Sequence, residues 1–187
     1  MNIQYSFKSE GEEIPYYRFL YRNDFKQVLK VKGGRNYWFE DGTYLPEFIK
    51  EETLKQHDFG HNYPAFDKVM VLFIHWFEDL KRRDVDNYSY KPFIDVIRKL
   101  RIVDDDSWKE VSINTIGLLA KEGEKESVEM HVVPFAFYPE YLKSKHASLF
   151  NTNNFKKKSM QENTQKIDEF KEIQKKYNLT SGEGFFE

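Results

Sequence analysis

The ten residues from Lys68 to Phe77, KVMVLFIHWF, constrain the fold more than any other stretch of the chain. They form a nearly unbroken apolar run, rich in β-branched and aromatic residues and interrupted only by His75. It is too short to span a bilayer and lacks the 3.6-residue period of a surface helix. A strand buried on both faces is the structure that uses such a run. Material for a core around it is available, because 17 Phe, 12 Tyr and 3 Trp make aromatic residues 17% of the chain.

The elements around this strand follow from local patterns. Residues 2–7 alternate weakly and read as an edge strand. The stretch 14–38 has no clean period, and a short helix is expected around Asp24 to Val31, stopped by Gly33-Gly34. Leu45 to Leu54 has helical composition with Pro46 in the first turn, and residues 57–64 read as a loop. A helix capped by Ser89, with Pro92 in its first turn, would bury Phe93, Ile97 and Leu100, with Ile94 beside them, as one stripe ending near Arg101. Residues 108–120 and 127–137 read as the two arms of a long hairpin turning at Glu122 to Lys125, with Pro134 marking an edge or a bulge. The expected class is α+β, a mixed sheet with helices packed on it. The domain would span residues 1–140. Residues 141–187 would be a polar extension with an amphipathic helix carrying Ile167, Phe170, Ile173 and Tyr177.

Composition narrows the chemistry. With no cysteine, the chain has no disulfide, thiolate nucleophile or zinc ribbon. No membrane segment or N-terminal signal is present in the sequence, so a cytoplasmic protein is expected. A net charge of −2 is not that of a general nucleic-acid binder, although acidic site residues can mask a local basic surface.

Acidic residues return in two clusters. Asp84 and Asp86 sit two apart, and in extended chain both carboxylates project to the same side. Like charges this close call for a cation between them, and hard oxygen ligands suit magnesium, with manganese as a possible substitute. A DxD pair alone is also explained by a solvated loop. Here Asn87 follows directly, Lys91 lies where a helix start can meet an anionic phosphate, and Asp104-Asp105-Asp106-Ser107 brings carboxylates back before the next strand. Asp104 reads as a solvated neighbour, while Asp95 is open between a place in the site and an i, i+4 ion pair with Lys91 or Lys99. Lys81, Arg82 and Arg83 precede the cluster and are candidates for DNA backbone contact. His57 and His61 have zinc-like spacing but no third ligand, and Lys156 to Lys158 reads as a solvated linker.

Residues 81–108, KRRDVDNYSYKPFIDVIRKLRIVDDDSW, resemble the central motif of the RusA family of Holliday junction resolvases: a basic run, D-x-D-N, a lysine early in the next helix, an aspartate beyond it, and a closing D-D-S/A. Two local departures are an Asn87-to-Lys91 spacing one residue longer than in short members and Arg101 at a helix end where glycine is common. Residues 1–60 and those after about 140 match loosely or not at all. The resemblance implies a homodimeric, magnesium-dependent endodeoxyribonuclease that resolves four-way DNA junctions by paired nicks, with no organic cofactor. Asp84, Asp86 and Asp106 would ligate metal, Asp105 would be a second carboxylate there, and Lys91 would stabilise charge on the scissile phosphate. Asn87, Lys81, Arg82 and Arg83 would face DNA. Alternatives are a nuclease of the same fold acting on other branched or single-stranded DNA, and a non-catalytic DNA-binding relative. A nucleotide-sugar transferase using DxD has too little chain for its two substrate sites.

Overall fold

The structure, a computed structural model, describes residues 5–29, 37–60, 63–79 and 88–147. The chain divides into units Met1–Lys145 and His146–Glu187, and of the second only residues 146 and 147 are described. The expected amphipathic helix at 167–177 and the Lys156–Lys158 run therefore lie outside the described residues, as do Gly33, Gly34 and His61.

The architecture is α+β. Strands β1 (Tyr5–Ser9), β2 (Glu12–Arg22), β3 (Val69–Phe77), β4 (Val111–Leu119) and β5 (Ser127–Pro134) form one mixed sheet in the order β1-β2-β5-β3-β4. One-turn α1 (Phe25–Val28) is joined by three longer helices, α2 (Leu45–Gln56), α3 (Lys91–Lys99) and α4 (Tyr138–Lys145). None of the described helices is long and apolar enough to cross a membrane.

β3 takes the place that its sequence demands. It lies between β5 and β4, and its side chains alternate between two cores. Val69, Val71 and Phe73 face α2 and α3, together with Phe93, Ile97 and Tyr21. Leu72 and Ile74 face the other way, packing with Phe7, Tyr16 and the fully buried Tyr141 of α4. The β1–β2 hairpin closes through Glu10 and Gly11, at φ 50 and 91. Two successive positive φ values match the right-handed twist of the paired strands, and glycine supplies one without steric cost. β2 is the strand that the 14–38 reading did not resolve. Its aromatic residues fall on both faces, which erases the polar half of an alternating pattern.

The expected 108–137 hairpin is corrected. β4 and β5 do not pair with each other; β4 runs parallel to β3 on one side, and β5 runs antiparallel to β3 on the other. Both edges of β3 carry backbone donors and acceptors that need partners in a buried sheet. Residues 120–126 are long enough to step across the roughly 10 Å between strands two places apart. Ala120 N–H donates to Phe77 O as the chain makes that step (2.8 Å). Pro134 closes an interior strand rather than marking an edge.

The helix after the acidic cluster also starts one residue later than expected. Its N-cap is Tyr90, whose side chain makes no cap hydrogen bond, while Ser89 N–H donates to Leu29 O (2.8 Å). Packing decides this, since the Tyr90 ring stacks on Phe73 at 4.4 Å and is buried. At the other end, Ile102 N–H reaches Ile97 O (3.0 Å) and Arg101 N–H reaches Arg98 O (2.9 Å), a Schellman closure. Arg101 takes the left-handed position at φ 55, so an arginine stands where the backbone favours glycine.

Candidate functional site

The β3–α3–β4 crossover brings Lys91 and Asp106 together. Lys91 opens α3, and Asp106 lies in the loop that leads into β4. Lys91 Nζ donates to Asp106 Oδ2 at 2.5 Å and to Asp95 Oδ1 at 2.8 Å. Lys91 holds the Asp106 carboxyl below the usual carboxylate range, with Arg98 adding to the effect. The two acceptors, Asp106 first, in turn raise the Lys91 ammonium pKa.

Helix stability does not explain this lysine. A cation in the first turn opposes the helix dipole, and lysine preceding aspartate by four residues is the weaker orientation of such a pair. A residue that breaks a local rule in a defined geometry points toward a functional role. The pair sits at a cavity of about 650 Å³ on the α3 side of β4, lined by Tyr88, Tyr90, Lys91, Asp106, Ile113 and Thr115 among others.

The loop carrying Asp106 is braced. Asp105 N–H donates to a Glu110 carboxylate oxygen at 2.5 Å, and Asp106 N–H donates to Asp105 Oδ1 at 2.8 Å. Ser107 O accepts from Glu110 N–H and Val111 N–H, which fixes the turn onto the start of β4. Asp104 is exposed to solvent, as expected, and Asp95 pairs with Lys91 at i, i+4, one of the two roles left open for it.

Of the sequence-predicted site residues, Lys91, Asp105 and Asp106 are described and lie in one neighbourhood. Asp84, Asp86, Asn87, Lys81, Arg82 and Arg83 lie outside the described residues. The described chain resumes at Tyr88, immediately after DVDN, on the wall of the same cavity. The described residues contain no group of three or more His, Asp or Glu side chains placed to hold a metal. Asp105 and Asp106 offer only carboxylate oxygens, chemistry that suits a hard divalent ion, and a complete ligand set at this site would need side chains beyond the described residues. His57 is nearly buried, with Tyr17 at 5.0 Å and Phe59 at 4.6 Å ring to ring.

Two buried polar clusters escaped the sequence reading. His75 Nε2 lies 2.6 Å from Glu126 Oε1, and His75 Nδ1 lies 3.1 Å from the Tyr90 hydroxyl. With Nε2–H donating to the carboxylate, Nδ1 accepts from Tyr90, and the residue before Lys91 is thereby tied to β3. On the opposite face, Glu129 bonds Arg18 and His131, and His131 bonds Tyr141. Burial pushes the Glu129 carboxyl up, but its bonds to His131 and Arg18 outweigh that and hold it at about 2. The available signal was a charged or imidazole side chain at an apolar strand position, as with His75 inside KVMVLFIHWF.

No protein-family model matches the chain, and no curated protein matches it.

Proposed function

We propose that the chain is a metal-dependent endodeoxyribonuclease of the RusA type, acting on four-way DNA junctions as a homodimer. One observation supports this above the others: Lys91 and Asp106, fifteen residues apart, meet at 2.5 Å on a cavity whose wall begins directly after DVDN. Two residues of the motif that resembles the family are thus adjacent in space, which supports the reading.

In this reading Asp84, Asp86 and Asp106 would hold magnesium, with Asp105 as a further carboxylate. Bound there, a divalent ion would supply Lewis-acid chemistry at the phosphate. Lys91 provides a fixed positive charge where negative charge builds on the scissile phosphate, and its bonds to Asp95 and Asp106 keep it protonated and aimed. Tyr90, anchored by stacking on Phe73 and by His75, sets where α3 begins and so where Lys91 stands. Lys81, Arg82, Arg83 and Asn87 contact DNA. A two-fold dimer gives two sites for two matched incisions.

The test compares a synthetic four-way junction with linear duplex, with and without magnesium, for wild type and Asp86→Asn. Symmetric, junction-selective nicking that needs the metal and disappears in the variant is the expected result. Indiscriminate cutting would instead assign the chain to other branched or single-stranded DNA. Binding without any cutting would leave a non-catalytic DNA-binding protein.

A further inference from the structure

Trp108 is the most exposed large hydrophobic residue among those described, at 80% of its accessible surface. An indole left in water forgoes substantial burial and is normally found sequestered or at a contact surface. Its position is specific. It follows Asp106 by two residues, so the two α-carbons lie at most about 7 Å apart along the chain. It also opens the turn that Ser107 O fastens to Glu110 and Val111, so the ring is carried on a braced backbone.

Its surroundings carry both signs of charge, with Asp104 and Asp105 exposed just before it and the Lys91 ammonium held by Asp95 and Asp106. Lys91, Arg98 and Lys109 are all exposed, Lys109 is adjacent in sequence, and Arg98 acts on the same Asp106 carboxylate. An exposed flat ring beside a site that also presents cations is a combination by which proteins hold unpaired nucleotides. The cations follow the phosphates, and the ring takes the face of a base. A protein interface core, in contrast, is depleted of charged residues.

We infer that Trp108 stacks on an unpaired or splayed base next to the Lys91–Asp106 site and thereby selects branched DNA over continuous duplex. The inference rests on the nuclease reading and adds a specificity determinant to it. In intact duplex each base face is covered by its neighbours, so the indole gains nothing there. At a branch point or in a single strand a base face is available. Trp108 is a positioning residue, and the chemistry at the phosphate does not require it.

The experiment measures binding and cleavage of a four-way junction, a single strand and a linear duplex by wild type, Trp108→Phe and Trp108→Ala. Because the side chain is exposed, both variants are expected to fold as wild type does, which circular dichroism checks. Base stacking lost on alanine substitution weakens binding to the junction and single strand by about tenfold or more, while phenylalanine stays within about threefold. Duplex affinity should not change, and the loss should fall on KM rather than kcat. With calcium replacing magnesium to keep strands intact, junction DNA should quench emission in wild type and not in Trp108→Phe, which separates this indole from Trp38 and Trp76. Equal junction affinity for wild type and Trp108→Ala overturns the inference while leaving the nuclease reading in place. A wild-type chain that neither binds nor cuts DNA overturns both. If Trp108→Ala leaves DNA binding intact and lowers only the sedimenting mass, the ring serves a protein contact and the stacking role is wrong.

Discussion

Replacing Asp106 by asparagine separates a functional role from a structural one. The Lys91 and Asp106 side chains are 52% and 23% exposed, so their 2.5 Å contact lies at the surface, where water and salt screen it. Pairs of this kind contribute about 0.2–1 kcal/mol to folding. Asparagine keeps the shape and one acceptor oxygen, so the cost should be about 1 kcal/mol at most. With a urea slope of about 2 kcal/mol per molar, the unfolding midpoint should move by no more than about 0.5 M. A charge or ligand acting on a reacting phosphate is worth far more. Its removal should slow junction cleavage by at least about a hundredfold, or about 2.7 kcal/mol of barrier. Equilibrium urea unfolding and single-turnover cleavage on the same preparations supply both numbers. The reasoning is refuted if Asp106→Asn cuts at the wild-type rate. It is equally refuted if lost activity accompanies a stability loss of several kcal/mol, because Asp106 would then be a structural residue.

Three further outcomes follow from the packing. Arg101→Gly relieves a left-handed arginine at the end of α3, and should raise stability by about 0.5–1 kcal/mol after the added freedom of the unfolded chain is counted; a lower thermal midpoint would contradict the Schellman closure. Glu129 is held at about 2 against an ordinary 4.5, so its contribution is complete above about 4.5 and is lost as pH falls through about 2. Urea midpoints at pH 5, 4 and 3 should therefore fall less steeply for Glu129→Gln than for wild type, and parallel slopes would show that the carboxylate is not held down. Breaking the buried His75–Glu126 pair with His75→Phe alone should cost about 3 kcal/mol, and adding Glu126→Leu should recover much of it, because the stranded polar partner is then gone; calorimetry of the single and double variants checks the recovery.

The sequence by itself determined β3, the apolar stripe of α3 with Pro92 in its first turn, and the α+β class. In these segments the pattern of apolar residues and the backbone restrictions act within a few residues of each other. It also singled out Asp84, Asp86, Lys91 and Asp106, by type and spacing, as the residues of the proposed site. Only the tertiary structure decided that β4 and β5 flank β3 rather than pair, since strand partners are chosen by which backbone edges remain unsatisfied once the buried strand is placed. Only it moved the helix start from Ser89 to Tyr90, where stacking on Phe73 outweighs the local preference for a capping hydroxyl. The meeting of Lys91 with Asp106, the burial of Glu126 against His75 and the exposure of Trp108 belong to the same category. Each depends on contacts or solvent access set by segments remote in the chain, and no local pattern encodes a distance across a crossover.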